Sequence, residues 1–323
     1  MNTIDFSIVV PALNEADSIA ELYTEIVDSL DKIGGTWELL FVDDGSDDDT
    51  ADIMQNISQA DSRVTVLGFT RNFGKSAAYS AAFSMARGNT VITMDGDLQD
   101  NPAELPVLVE ALRQGNDLVV GWKLDRLENE PGKTIPSRVF NALNRILFGM
   151  SFKDQNSGYR AMRRVVAQSL ELQGDQYRFI PQLAHLAGFK VAEVGVRHRR
   201  RKYGNSKYGL SRFWTGLLDL FTVRFLTRFR RRPLHFFGTM ALIMGAIGVG
   251  LEAYVLASKL FGDTFQQHIA AMIIGVMLIL IGFQCLIIGL IGELLAAPPL
   301  PQFVLTKHRE GASTKVDTGT LEN

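Results

Sequence analysis

Apolar residues follow two rhythms in the N-terminal part of the chain. Phe6–Val10 (FSIVV), Trp37–Val42, Val64–Phe69, Thr90–Met94 and Asp117–Val120 are short apolar runs with the length of strands. Between the first two, Ile19, Leu22, Tyr23, Ile26, Val27, Leu30 and Ile33 recur with a helical period along Glu15–Ile33, and Gly34-Gly35 stops that helix. Further helices are predicted over Thr50–Ser58 and Lys75–Ala86 and from a start at Asn101-Pro102, and Pro11 is expected to end the first strand. Strand alternating with helix predicts an α/β fold with a mostly parallel sheet covered on both faces, and such sheets bind ligands beyond the carboxyl ends of their strands. Asp43 and Asp44 follow the second strand and Asp95 and Asp97 the fourth, which places four acids at that edge.

A different pattern takes over toward the C-terminus. Leu234–Ser258 carries a single acidic residue, Glu252, and Ile269–Gly292 carries none, so each is long enough to cross a hydrocarbon layer about 30 Å thick. Buried core helices would be the alternative, but such stretches exceed an amphipathic stripe. At about 1.5 Å per residue Glu252 falls about 28 Å beyond Pro233, among the far headgroups. Arg224, Arg228, Arg230, Arg231 and Arg232 precede the first span and Lys307 and Arg309 follow the second, whereas the connection offers Lys259 and His268. Both ends are therefore expected on the cytoplasmic side. Upstream, Leu210, Phe213, Trp214, Leu217, Leu218, Phe221, Phe225 and Leu226 form an apolar stripe among cations, as in a helix lying in the membrane interface; a helix packed on the soluble domain remains the alternative. The expected organisation is a cytoplasmic domain over residues 1–208, a juxtamembrane amphipathic helix over 209–233, two spans within 234–295 (about 234–258 and 269–292), and a cytoplasmic tail over 296–323.

Composition refines this picture in three ways. The net charge of −2 averages an acidic N-terminal half against arginine clusters between Arg197 and Arg232, so the asymmetry says more than the sum. The lone cysteine, Cys285, lies in an apolar run, excludes an intramolecular disulfide and suits a reducing compartment. The opening MNTIDFSIVVPALNE lacks a basic segment followed by a long apolar core, so no signal peptide is expected.

Two carboxylates one residue apart at a strand end can hold a hard divalent cation and leave positions for water and phosphate. The pair Asp95 and Asp97 has that spacing, although solvated turn aspartates share it; Asp100, just before Asn101-Pro102, is read as a helix cap. An NAD-dependent oxidoreductase is disfavoured, because PALNEAD follows the first strand where G-x-G-x-x-G would be needed.

The pair sits among further motifs: VVPALNE at Val9–Glu15, FVDDGSDDDT at Phe41–Thr50, RNFGKSAAYSAAFSMARG at Arg71–Gly88, MDGDLQDNP at Met94–Pro102, DQNSGYRAMRR at Asp154–Arg164 and RRKYGNSKYG at Arg200–Gly209. In this order they resemble the inverting glycosyltransferases of family 2, and within it the polyprenyl-phosphate glycosyltransferases of the bactoprenol glucosyltransferase and dolichyl-phosphate mannose synthase type. The resemblance spans roughly two thirds of the chain. It implies a GT-A-type nucleotide-sugar domain in which Pro11, Leu13, Glu15 and Asp44 line the nucleotide pocket, with Asp44 accepting from the base. Asp95 and Asp97 would hold Mg²⁺ or Mn²⁺ against the donor's diphosphate, with Gln99 beside them. Arg201, Ser206 and Lys207 would close over the phosphates. Lys123 stands where the family often has arginine, and Ser137 and Arg138 resemble acceptor-phosphate contacts. Asp97 or Asp154 would serve if a base assists. The duller readings are a lipid-facing cationic surface for Arg197, Arg199 and Arg201, a turn for Asn72 and Gly74, and packing for Gly158 and Tyr159.

The resemblance implies a membrane enzyme that moves a sugar, from UDP-glucose or another UDP-hexose, onto undecaprenyl phosphate at the cytoplasmic face of a bacterial inner membrane. Its partners would be the nucleotide sugar, the lipid and the membrane, with no nucleic acid, and the homo-oligomer of such enzymes would be a tetramer. Two alternatives stay open: a processive polysaccharide synthase, for which Trp37, Trp122 and Trp214 lack the Q-x-x-R-W context, and a membrane-tethered nucleotide-binding protein without turnover.

Overall fold

The computed structural model describes residues 4–124, 145, 149–150, 157–199, 222, 224, 225, 229, 232–262 and 264–296. The chain divides into two compact units, Met1–Thr227 and Arg228–Asn323.

In the first unit the apolar runs become strands, and the central ones are buried on both faces. β1 (Phe6–Ala12) and β2 (Trp37–Asp43) are buried at every position. They are joined by β3 (Val64–Gly68), β4 (Thr90–Thr93), β5 (Leu118–Lys123), β6 (Arg160–Arg163) and β7 (Val191–Val196) in the order β3-β2-β1-β4-β6-β5-β7. β6 runs antiparallel to both β4 and β5, and the other pairings are parallel. The expected mostly parallel sheet is therefore present.

Helices cover both faces of this sheet. Phe6, Ile8 and Val10 of β1 pack with Ile19, Leu22 and Ile26 of α1 (Ala16–Ile33), and Met54 of α2 (Thr50–Ala60) and Leu108 of α4 (Leu105–Arg113) join the same cluster. On the other face Val9, Val42 and Val91 meet Tyr79, Ala82 and Phe83 of α3 (Lys75–Met85), together with Val166 of α5 (Arg164–Ser169) and Ile180 of α6 (Ile180–Leu186).

Three details depart from the sequence reading. β1 continues through Pro11 to Ala12. Ala12 offers its carbonyl toward β2, where it accepts from Asp44 N–H at 2.9 Å, so the alternate residue Pro11 turns its nitrogen toward β4; that pairing stops at Val9, and the missing N–H costs no ladder bond. β6 and β7 were not expected at all. Third, Asn101 rather than Asp100 caps the turn that opens at Pro102: its Oδ1 accepts from Ala103 N–H at 3.1 Å.

A buried polar knot fastens the amino edge of the sheet. The Glu38 carboxylate accepts from Ser7 Oγ at 2.6 Å, from Arg87 N–H at 2.7 Å and from Arg87 Nε at 2.7 Å, and Ser7 Oγ in turn accepts from Gly88 N–H at 2.7 Å. Gly88 has to be glycine here, because a Cβ would lie 2.4 Å from the backbone nitrogen of Ser7.

The second unit pairs α7 (Pro233–Leu260) with α8 (Ile269–Ala296), joined through a short 3₁₀ turn at Phe265–His268. These helices contain the two spans expected at 234–258 and 269–292. Only 11% of the most apolar stretch of each is buried, whereas a core helix of a soluble protein would be mostly covered. Both are therefore long and apolar enough to cross a membrane. They approach closely at glycines: a Cβ on Gly248 would lie 2.7 Å from the Gly275 carbonyl oxygen. Glu252 is half-buried, with its Oε1 turned against Gly275 and without a hydrogen-bond partner among the described residues. Glu293 Oε2 accepts from Leu234 N–H at 3.2 Å and so satisfies one orphan donor at the start of α7. Of the amphipathic segment expected over 209–233, Thr222, Arg224, Phe225, Phe229, Arg232 and Pro233 are described, the first four helical and the last two where α7 begins; the rest of it, and nearly all of the expected tail, lie outside the described residues.

The Glu38 knot generates a stability prediction. Burial works to raise this carboxyl, but the bonds from Ser7 and Arg87 outweigh it and hold it below the usual glutamate range. A folded pKa below the unfolded one means stability that is present above the unfolded pKa and lost as pH falls through the folded value. Glu38→Gln should lower stability by about 2 to 4 kcal/mol at pH 7. Thermal unfolding of the full chain in detergent should show the gap closing below about pH 4; a gap independent of pH would refute the ionic role.

Candidate active site

The loops beyond the carboxyl ends of β1 and β2 are laced together by short polar side chains. Asn14, held at φ 58°, donates its N–H to Ser46 Oγ at 3.0 Å and accepts at Oδ1 from Asp47 N–H at 3.0 Å. Glu15 N–H donates to Thr50 Oγ1 at 2.9 Å and Ala16 N–H to Asp48 Oδ2 at 3.3 Å. This lacing explains the acid-rich turn after β2: Asp48 and its neighbours take up the free N–H groups where α1 begins. Pro11 is buried in β1, Leu13 and Glu15 are half-buried in the loop that leaves it, and Asp44 is buried just past β2. The expected nucleotide-pocket residues thus share one edge. The Asp44 carboxylate accepts from Phe73 N–H at 2.8 Å and Gly74 N–H at 3.0 Å, and burial raises its pKa despite those bonds.

Beyond β4 the chain makes a tight turn through Asp95, Gly96, Asp97, Leu98, Gln99 and Asp100. Leu98 adopts φ 61° with its side chain in the core, a left-handed conformation that costs a non-glycine residue on the order of 1 kcal/mol. Ser18 Oγ on α1 donates to the Gly96 carbonyl at 2.7 Å, and Asp97 Oδ1 accepts from Gln99 N–H at 3.2 Å. Asp100 turns back to accept from Asp95 N–H at 2.9 Å and faces His198 Nε2 at 3.5 Å. The capping role expected of Asp100 is therefore wrong: it braces the turn that carries Asp95.

Two residues the sequence reading did not single out, Lys75 and Arg160, surround Asp95 together with Gly158, which it read as packing. Lys75, at the start of α3, donates Nζ to Asp95 Oδ1. Arg160, which opens β6 in register with Thr93, has no exposed surface, and its Nε and Nη1 find no hydrogen-bond partner among the described residues. Gly158 lies directly under the carboxylate, where any Cβ would collide with it, and its carbonyl accepts from Thr93 Oγ1 at 2.7 Å. Tyr159 is buried and donates its hydroxyl to the Asn101 carbonyl at 2.9 Å.

The electrostatics follow from these contacts. Burial would raise the Asp95 carboxyl, but Lys75, then Arg160 and Lys123, hold it below the usual aspartate range. Asp100 is raised, by burial first and also by the Asp95 charge. Burial pushes the Tyr79 hydroxyl, between Lys75 and Arg160, up to about 12.

A sequence signal for Lys75 was available. A cation in the first turn of a helix opposes the macrodipole and needs a partner to account for it. Arg160 was harder to see, because nothing in YRAMR announces a buried strand. Of the expected residues, the structure gathers Pro11, Leu13, Glu15 and Asp44 at one part of the carboxyl edge. It places Asp95, Asp97 and Gln99 in one turn, with Lys123 near enough to act on Asp95. Ser137, Arg138, Asp154, Arg201, Ser206 and Lys207 lie outside the described residues.

The donor set suits a hard divalent ion. Asp95 already offers an oxygen to a cation, and Asp97 follows one residue later. No group of three or more His, Cys, Asp or Glu that could hold a metal ion occurs among the described residues. Two carboxylates completed by water and phosphate oxygens match the way Mg²⁺ and Mn²⁺ are bound in nucleotide sites. A depression of about 1090 Å³, lined in part by Phe6, Thr90, Arg113, Arg163 and Arg164, opens at the opposite, amino edge of the sheet and has no part in this constellation.

Comparison with known proteins gives the chain a family and a fold. The model of glycosyl transferase family 2 matches residues 7–170. The chain is 33% identical over 303 residues to a dodecaprenyl-phosphate galacturonate synthase of Rhizobium johnstonii, covering 92% of this chain and 89% of that protein. It is 35% identical over 294 residues to an undecaprenyl-phosphate 4-deoxy-4-formamido-L-arabinose transferase of Edwardsiella ictaluri, covering 90% and 89%. Among solved structures, mannosyl-3-phosphoglycerate synthase from Rubrobacter xylanophilus superposes with a TM-score of 0.55 at 21% identity, over 69% of this chain and 74% of that one. Glucosyl-3-phosphoglycerate synthase from Mycobacterium tuberculosis, solved with Mn²⁺, UDP-glucose and phosphoglyceric acid, gives 0.52 at 23% identity, over 69% and 79%. These two likenesses establish the GT-A-like fold.

Gly158→Ala should test how closely the turn is built. The added methyl has to displace the Asp95 carboxylate, and a shift on the order of 1 Å at a reacting site can cost about 100-fold in rate. Turnover should fall by about that factor while circular dichroism still reports a folded chain; full activity would show that Asp95 has room to spare.

Proposed function

The chain belongs to glycosyl transferase family 2 and is a glycosyltransferase, and from that premise we propose that it transfers a sugar from a UDP-hexose, UDP-glucose first among them, to undecaprenyl phosphate. The observation that carries this reading is the pair Asp95 and Asp97 at the carboxyl end of β4, with a cation already seated on Asp95. The two apolar helices supply a reason for a lipid acceptor, and the relatives named above act on dodecaprenyl and undecaprenyl phosphates. Those relatives carry different sugars, so the donor is the quantity a panel must measure.

The chemistry asks little of a base. A phosphate monoester has a second pKa of about 6, so the acceptor oxygen is already anionic at neutral pH and can attack the anomeric carbon directly. A single displacement inverts that centre. The demand falls on the departing nucleoside diphosphate, whose charge a bound Mg²⁺ or Mn²⁺ would neutralise. Asp95 and Asp97 would hold that ion, with Gln99 beside them, while Asp44 accepts from the base and Pro11, Leu13 and Glu15 shape its pocket. Ser137 and Arg138 would contact the acceptor phosphate, Lys123 would stand in the site where relatives often have arginine, and Arg201, Ser206 and Lys207 would close over the donor's phosphates. Asp97 or Asp154 would take a residual proton.

In this reading residues 1–208 form the cytoplasmic catalytic domain and the 209–233 helix lies in the interface. The spans within 234–295 anchor the enzyme in a bacterial inner membrane, with both termini and the 296–323 tail cytoplasmic, and the enzyme works as a homo-tetramer. Purified protein given undecaprenyl phosphate, Mg²⁺ and a panel of radiolabelled nucleotide sugars should yield one labelled lipid. Asp97→Asn should lower that turnover by at least about 100-fold with the fold retained. Absence of labelled lipid with every donor would refute the proposal.

Asp44 adds a pH prediction. An acid whose pKa is raised takes up its proton at higher pH than an ordinary aspartate. Donor affinity should therefore weaken on acidification earlier than an ordinary aspartate would cause, and Asp44→Asn should flatten this dependence. Donor binding measured by calorimetry from pH 7 downward checks it.

A further inference from the structure

Asp95 has two kinds of cation around it, and they differ in whether they can leave. Arg160 has no exposed surface and is locked between β4 and β5 by its strand register. Lys75 is reached by solvent, with 24% of its side chain exposed against 36% for Asp95. Its Nζ also lies 5.7 Å from the ring centre of Tyr79 and 5.5 Å from that of Tyr177, so two aromatic faces offer the ammonium an alternative seat. One cation is fixed and the other can exchange.

We propose that Lys75 is a built-in competitor for the metal position: its ammonium occupies Asp95 in the metal-free protein and must withdraw before a divalent ion can bind there. The proposal rests on the reading of Asp95 as a metal ligand. An oxygen lone pair that accepts from an ammonium is not open to a second cation. Coordination through the other carboxylate oxygen gives no escape, because it would leave a divalent ion and an ammonium a few ångströms apart in a partly buried site, where like charges repel strongly. The position of Lys75 fits this role. It sits at the amino end of α3, where the helix dipole disfavours a cation, so Asp95 is what holds it there. Arg160 explains why its departure does no harm: a fixed positive charge stays near enough to act on the carboxylate, so Asp95 remains an anion for the incoming metal. The consequence is a site that takes metal weakly on its own, and so does not fill with a free divalent ion before the donor's phosphates arrive to complete the coordination.

The test is Mn²⁺ binding to the full-length, nucleotide-free protein in detergent, followed by the electron paramagnetic resonance signal of free Mn²⁺. Lys75→Met should bind Mn²⁺ at least tenfold more tightly than wild type, and Lys75→Arg, which keeps the charge, should stay close to wild type. Lys75→Gln, which keeps a donor to Asp95 without the charge, gives a second reading should the methionine variant fail to fold, and it too should bind more tightly. Asp95→Asn should abolish this binding. Unchanged or weaker binding in the uncharged Lys75 variants, with binding still lost in Asp95→Asn, would overturn the proposal alone. Absence of any Asp95-dependent binding would overturn it together with the metal reading.

Discussion

The surroundings of Asp95 are organised by the need to keep one carboxylate charged at the mouth of a buried sheet. Such a group is costly to hold unless cations and N–H donors surround it. Here Lys75 donates to it directly, Arg160 and Lys123 add positive potential, and Asp100 anchors its backbone nitrogen. Gly158 leaves space for it, and β6, antiparallel beside β4, brings Arg160 up from the opposite direction just after it. The same segment that provides Lys75 is pinned at Phe73 and Gly74 by Asp44. The residue proposed to meet the base and the residue proposed to meet the metal are thus joined by a few bonds through one short stretch of chain.

Much of the first unit was legible in the sequence because parallel strands buried on both faces leave unbroken apolar runs. FSIVV, the run from Trp37 and the run from Thr90 announced β1, β2 and β4 in this way, and the acids that follow them stood where a ligand crevice belongs. The ending of β1 was misread, since Pro11 removes a donor only on the side where β4 has already stopped. β6 was invisible for a physical reason: Arg160 and Arg163 bound a short strand whose buried charge is tolerated only by what folds around it. Asp100 and Asn101 exchanged roles because both side chains can cap, and only the backbone path decides which faces Ala103. Lys75 stood in a quoted motif, yet its importance is a contact across twenty residues of chain.

The second unit shows what composition can and cannot convey. Length and hydropathy announced both helices, and their slight burial separates them from core helices of a soluble domain. The interhelical detail is stereochemical: Gly248 and Gly275 permit the backbones to approach, and Glu252 fits only because Gly275 lacks a side chain. Rise alone places Glu252 at headgroup depth, and its contact with Gly275 adds that one carboxylate oxygen turns into the seam between the helices.

The central claim is that Asp95 and Asp97 form the metal seat of a nucleotide-sugar site. Anomalous diffraction from crystals of the full-length protein grown with Mn²⁺ and a nucleoside diphosphate tests it most directly. The account predicts a manganese peak within coordinating distance of both carboxylates, with the Lys75 ammonium withdrawn from Asp95. A peak elsewhere, or nucleotide bound with Lys75 still on Asp95 and no manganese beside it, would contradict it.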